Sequence, residues 1–412
     1  MKLLHLLILL FVALLAAWVL WIISKPGRYR LATPSQKALL DAKVSLGRSE
    51  GNSLITYTDG ATLRDAVMAD INAASTSIHL QFFKVEEDDS GRKLASLMAD
   101  KVAVGVETRL LYDDFVCHRW RGFYRCMRQQ GIQAVGFNPL HWPVPIKRDY
   151  YRNHRKTVII DGRVAYLGGF NMADRYVYGL KWGCWRDTMI RIEGPAVAQV
   201  QRLFLTDWCF ATGSLPSLDS LFPPLPQSGS SSVSIVGSGP LEYGPKLLDL
   251  TCSILDHARD YVWFESPYFL PPQPLLKAFL RAADRGVDVR MLQPPRGDNG
   301  ETTQLASKSF YAEAMAHGVR IGTYSPGFLH SKIIVSDNQL GVVGSCNIDS
   351  RSHLLCEEVA ALVEDPVYAA ELKRIFLADE SQSSYIDPSE WRNRPLRQKL
   401  AEQAARTISN LL

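Results

Sequence analysis

The pattern His-x-Lys-x-x-x-x-Asp occurs twice, as "HRKTVIID" from His154 to Asp161 and as "HSKIIVSD" from His330 to Asp337. Each copy opens an apolar run and then meets a turn signal, Asp161-Gly162 or Asp337-Asn338. Asp-Gly between two β-rich runs is a strong hairpin cue. Aligned without gaps, "HRKTVIIDGRVAYLGGFN" and "HSKIIVSDNQLGVVGSCN" agree at His, Lys, Asp, a Gly and Asn, with apolar residues between. Agreement concentrated at polar positions asks for two copies of one folding unit, each contributing chemistry.

Residues i and i+2 of a strand share a face. His154 and Lys156 are therefore expected to point one way, as are His330 and Lys332. A two-residue turn sets His154 opposite Gly169 and His330 opposite Ser345, and the return strands bring Asn171 and Asn347 alongside. The same geometry carries Asp161 and Asp337 to the far end of each hairpin, where they form turns. The candidate catalytic set is thus the motif residues His154, Lys156, Asp161, His330, Lys332 and Asp337, with a structural role for the two aspartates.

Two imidazoles, two ammonium groups and amide donors suit the non-bridging oxygens of a phosphodiester and a pentacoordinate transition state. A neutral imidazole attacks phosphorus while a protonated one supplies the leaving alkoxide. This chemistry needs no metal or cofactor, and no HExxH or comparable ligand motif is present. A nucleophilic imidazole is usually fixed by a carboxylate on its other nitrogen. Candidates follow each motif: Asp187 in "WRDTMIRIEG" and Glu358 in "CEEVAAL".

Elsewhere strand-like and helix-like stretches alternate. "TSIHLQFF", "RKLASLMADKVAVG" and "VETRLLYDD" give strand, helix and strand, and "DYVWFESPYFL", "PLLKAFLRAADRG" and "VDVRMLQP" repeat the order. Such units imply parallel pairing. The Pro/Ser/Gly-rich stretch Gly213–Ser232 reads as a connector. The apolar run Leu3–Ser24 has the length of a membrane span, with Trp18 and Trp21 near its end. Lys25, Arg28 and Arg30 follow it and favour a body on the cytoplasmic face. Expected domains are 1–30, anchor and basic flank; 31–212, first unit; 213–232, linker; and 233–412, second unit. A net charge of +4 gives no footprint for nucleic acid. The seven cysteines have no zinc or thioredoxin spacing and read as reduced thiols. "HWPVPIKRDYYRNHRK", His141–Lys156, mixes aromatics with Lys147, Arg148, Arg152 and Arg155 and reads as a loop able to lie on anionic headgroups. The C-terminal "LRQKLAEQAARTISNLL" has helical periodicity and caps the second unit.

On these residues the chain resembles the phospholipase D superfamily, whose hallmark is the duplicated motif, and within it the bacterial cardiolipin synthases. The likeness runs from about Leu54 to Asp365 through "RNHRKTVIIDGRVAYLGGFNMAD", "WRDTMIRIEGPAV", "GFLHSKIIVSD" and "GSCNIDSRSHLLCEEVA". It implies an α/β fold of tandem duplicated phospholipase D-type sandwich domains sharing one active site, preceded here by an N-terminal transmembrane helix. It implies a bacterial inner-membrane enzyme that moves a phosphatidyl group between phosphatidylglycerol molecules through a phosphohistidine, giving cardiolipin and glycerol. His154 and His330 would then be nucleophile and acid/base. Lys156, Lys332, Asn171 and Asn347 would bind phosphate, with Ser345 and its counterpart Gly169. Relatives usually have Gly-Ser before the Asn, so Gly168-Gly169 loses a hydroxyl, and Cys356 stands where Asn is common. Rival functions are a phospholipase D hydrolase, a nuclease, and a silent lipid-binding module. Oligomeric state stays open.

Overall fold

The computed structural model describes residues 34–139, 150–297 and 300–409. Two parallel triplets realise the strand–helix–strand units. Ser77–Phe82, Glu107–Asp113 and Gln133–Phe137 pair in parallel in the first half, and Tyr261–Glu265, Asp288–Gln293 and Arg320–Tyr324 do so in the second. Helices Asp89–Ala103 and Gln273–Asp284 make the first crossover in each triplet. In each half the motif hairpin then adds antiparallel to the triplet's first strand.

The halves join edge to edge. Arg48–Tyr57 pairs antiparallel with Ser231–Ser238, so one 15-stranded sheet runs through the molecule in the same strand order on either side of that seam. Ser383–Tyr385 adds an extra edge strand in the second half. The helices Ala196–Thr212 and Pro366–Glu380 cover the middle of the sheet. There Phe204 stacks on His79 at 4.6 Å and Phe376 on Trp263 at 5.0 Å. Each such buried aromatic contributes about 1.5–3 kcal/mol through area removed from water. Separate apolar clusters fill the outer layer of each half.

Several expectations change. Register in the hairpins pairs Ile160 with Val164 and Ser336 with Leu340, so three residues form each turn rather than two. Asp161, Gly162, Asp337 and Asn338 all take positive φ there. The stretch Asp260–Leu270 is two strands, because Tyr261–Glu265 ends before Ser266-Pro267 and Phe269–Leu270 pairs instead with Ile348–Asp349. The connector has no helix or strand before Ser231, yet it is packed down: Leu221 is buried in the central cluster, with Leu215, Leu218 and Phe222 against it. Arg152 and Arg155 are 1% and 0% exposed, so they do not belong to a lipid-facing basic loop. Residues 140–149 of that loop lie outside the described residues, as does the expected anchor Leu3–Ser24. Among the described residues no helix is long and apolar enough to cross a membrane. Helix Leu396–Arg406 closes on the second half, where Arg406 donates to Ser309 O and Glu313.

Candidate active site

The histidines stand just outside their hairpin strands, at the edge where the parallel strands end. Thr157–Ile160 and Ile333–Ser336 begin after them. Each histidine is instead placed by the opposite half. His154 N donates to Glu357 O at 2.9 Å, and Glu357 N donates back to Arg152 O at 2.9 Å. Gly327–Leu329 pairs in parallel with Cys184–Arg186, and His330 N donates to Arg186 O at 2.7 Å. The residue after each acceptor is a carboxylate, which that pairing brings against the ring. His154 Nδ1 lies 2.8 Å from Glu358 Oε1 and His330 Nδ1 lies 2.5 Å from Asp187 Oδ2. The carboxylates expected from sequence are thus both present, but crossed: each serves the histidine of the other half. Thr188 Oγ1 and Ser331 Oγ, 2.8 Å apart, tie the same seam.

Each motif lysine curls back on its own histidine. Lys156 Nζ donates to His154 O at 2.5 Å, and Lys332 Nζ donates to His330 O. Asn171 Oδ1 accepts from Lys84 N at 3.1 Å while its amide donates to Tyr176 Oη at 2.6 Å. Asn347 is buried, and its Oδ1 has no hydrogen-bond partner among the described residues. The Ser345 hydroxyl donates to Glu358 Oε2 and accepts from Val359 N at 3.0 Å. Its proton goes to the carboxylate, so the hydroxyl supports Glu358 beneath His154. Gly169 leaves room for Asp187: a Cβ there would sit 2.0 Å from Asp187 Oδ1.

Asp161 and Asp337 are far from this chemistry. Asp161 accepts from the backbone N–H of Ser75, Thr76 and Ser77 at 2.7–2.8 Å. Asp337 accepts from those of Arg259, Asp260 and Tyr261 at 2.9–3.0 Å. They fasten the turn to the start of the neighbouring strand, so their place in the catalytic set is withdrawn.

The electrostatics favour an ionised carboxylate under each ring and a neutral ring at His154. Burial lowers the His154 pKa to about 4, with Glu358 pulling it up and Lys156 pushing it down. Burial alone would raise Glu358, but His154 and Lys156 hold it at about 2. Burial likewise works against Asp187, and Lys332 and His330 overcome it, leaving its pKa lowered. Nδ1 of each ring therefore carries the proton toward its carboxylate, a tautomer assigned from the hydrogen bond. Burial and the facing Lys332 bring Lys156 down to about 7, against the pull of Glu358.

Sequence reasoning missed the aromatic walls. Phe83 sets its edge on His154 at 4.8 Å, and His330 is ringed by Trp185 at 5.1 Å, Phe328 at 5.7 Å and Tyr176 at 6.0 Å. It also missed a buried ionic frame repeated in both halves. Arg155 lies 2.6 Å from Asp207 and 3.1 Å from Glu357, while Arg186 lies 2.6 Å from Asp379 and 3.8 Å from Glu265. Arg155 and Arg186 adjoin motif residues in sequence, the one signal that would have found them.

Comparisons with known proteins agree with this geometry. A family model described as cardiolipin synthase, PLD-like domain, matches residues 67–208 and 251–380. Cardiolipin synthase of Geobacillus kaustophilus is 35% identical over 388 residues, covering 92% of this chain and 77% of that protein. Cardiolipin synthase A of Pseudomonas aeruginosa is 35% identical over 364 residues, covering 88% and 74%. The crystal structure of phosphatidylserine synthase from Haemophilus influenzae shares the fold, with TM-score 0.69 at 13% identity over 92% of this chain and 100% of that one.

Proposed function

The chain belongs to the cardiolipin synthase family with phospholipase D-like domains, and from that premise we propose that it joins two phosphatidylglycerol molecules into cardiolipin and glycerol. The observation that carries the reading is the pair of crossed histidine–carboxylate dyads, each with a lysine beside it. His154, neutral with Nδ1 held by Glu358, attacks the phosphorus of the first lipid through Nε2. His330, backed by Asp187, gives its proton to the departing glycerol oxygen. Lys156 and Lys332 stabilise the charge that gathers on the phosphoryl oxygens. In the second step a hydroxyl of another phosphatidylglycerol gives its proton to His330 and attacks phosphorus, and the P–N bond breaks. The aromatic walls limit water, which would otherwise divert the intermediate to phosphatidic acid. The apolar run Leu3–Ser24 anchors this body to the cytoplasmic face of the inner membrane.

Labelled phosphatidylglycerol in mixed micelles tests the reading. Cardiolipin and glycerol are expected from the unaltered chain, with losses of about 10³-fold or more in His154→Ala and His330→Ala. After quench in alkaline detergent, which preserves a P–N bond, phosphate label is expected on His154 and absent from His154→Ala. Phosphatidic acid as the sole product would make the protein a hydrolase.

A further inference from the structure

A groove of about 420 Å³ opens after the strand Asp288–Gln293, lined by Pro295, Arg296, Glu301, Gln304 and Lys308. Three ring contacts connect it to the second histidine. The Arg296 guanidinium lies 5.9 Å from the Trp182 ring, Trp182 meets Phe328 edge-on at 6.3 Å, and Phe328 lies 5.7 Å from His330. These contacts lead from Arg296 at the groove to the acid/base side of the catalytic centre by way of the buried Phe328. Neither Arg296 nor Lys308 has an ion-pair partner among the described residues. Gln304 is 7% exposed, and its Oε1 has no hydrogen-bond partner there although the side chain lines the groove.

A buried amide oxygen without a donor costs about 1–3 kcal/mol, and a ligand hydroxyl would supply the donor. Two cations suit a phosphodiester, while Gln304 and the exposed Glu301 suit hydroxyl groups. Glu301 also disfavours a bare phosphate, since it offsets one of the two positive charges. We propose that this groove is the acceptor subsite and binds the phosphoglycerol headgroup of the incoming lipid. Arg296 and Lys308 hold its phosphodiester, and Gln304 accepts from one glycerol hydroxyl. The remaining hydroxyl reaches the phosphohistidine past Trp182 and Phe328. As it attacks, the new P–O bond forms, the bond to His154 breaks, and the hydroxyl proton passes to His330. This assignment rests on the synthase reading above.

The test is the ratio of cardiolipin to phosphatidic acid formed from labelled phosphatidylglycerol by the full chain, Arg296→Ala, Lys308→Met and Gln304→Leu. A loss of acceptor binding leaves the intermediate to water, so the ratio is expected to fall at least ten-fold in each variant. An unchanged ratio in Arg296→Ala, whose exposed side chain is not needed for folding, overturns the proposal. A second arm titrates soluble glycerophosphoglycerol or inorganic phosphate into the full chain and Arg296→Ala, followed by isothermal calorimetry. Expected is tighter binding of glycerophosphoglycerol than of phosphate, at least five-fold, lost in Arg296→Ala. Equal affinity for the two, or no effect of Arg296→Ala, counts against it. Should the unaltered chain form no lipid product, the synthase reading fails, while this binding arm still judges the groove.

Discussion

At Gly169 the absence of a side chain is what lets Asp187 reach His330. A serine there would match Ser345 of the other half, but its Cβ would fall 2.0 Å from Asp187 Oδ1. Gly169→Ser is therefore expected to push Asp187 off the ring and lower kcat about 100-fold, since small misplacements of a positioning group cost that much. Circular dichroism should remain native, and unchanged kcat would show that the close approach is unimportant. Protonation gives a second handle. With His154 at about 4, the attacking ring stays neutral well below the ordinary histidine range. With Lys156 at about 7, its positive charge is lost as pH rises past neutrality. The kcat/KM profile should then be bell-shaped, falling on the acid side near pH 4 and on the alkaline side near pH 7. Lys156→Arg keeps the charge at any working pH and should remove the alkaline limb, though its lower plateau reflects altered reach. An alkaline limb that survives in this variant would place that titration on another group.

Within the hairpins, chemistry and architecture occupy opposite ends. Asp337 accepts three backbone N–H groups at the start of Tyr261–Glu265, and hydrogen bonds to a charged group contribute about 1.5–3 kcal/mol each net of water, less at a half-buried site such as this. Asp337→Ala is expected to lower unfolding stability by roughly 2–4 kcal/mol in urea while leaving kcat/KM per folded molecule within about two-fold. A collapse of activity without loss of stability would return the residue to the catalytic set. Much of this element was legible in advance, because Asp161-Gly162 and the apolar runs mark a turn between strands. Its register was not: a three-residue turn shifts the pairing by one position, which period-2 patterning inside so short a strand does not report. The crossed dyads were illegible for a related reason. They depend on parallel pairing of Gly327–Leu329 with Cys184–Arg186, three residues each, and on the single bridge of Asn153 with Glu357, where no periodicity can develop. Asp187 and Glu358 themselves were findable, since a carboxylate beside an alternating apolar run is a local signal.

The duplication was plain from the repeated motif, yet the way the halves close on one another governs how the whole molecule works. Each half supplies one imidazole and the carboxylate for its partner's imidazole, so neither half holds a complete dyad. The shared sheet fixes this arrangement through Arg48–Tyr57 and Ser231–Ser238, and the packed connector around Leu221 holds the halves of one chain together. Two inactive variants, His154→Ala and His330→Ala, therefore report on whether halves ever exchange between chains. In an exchanged dimer one of the two sites would combine His154 from one chain with His330 from the other and regain full chemistry. With the connector buried, exchange requires stripping apolar surface from the central cluster, at about 25 cal/mol per Å². Equimolar variants mixed while folded, or unfolded and refolded together at low concentration, are expected to stay inactive. Recovery approaching a quarter of the activity of the unaltered chain would mean that the active site is assembled between chains, and that the connector's packing is too weak to prevent it.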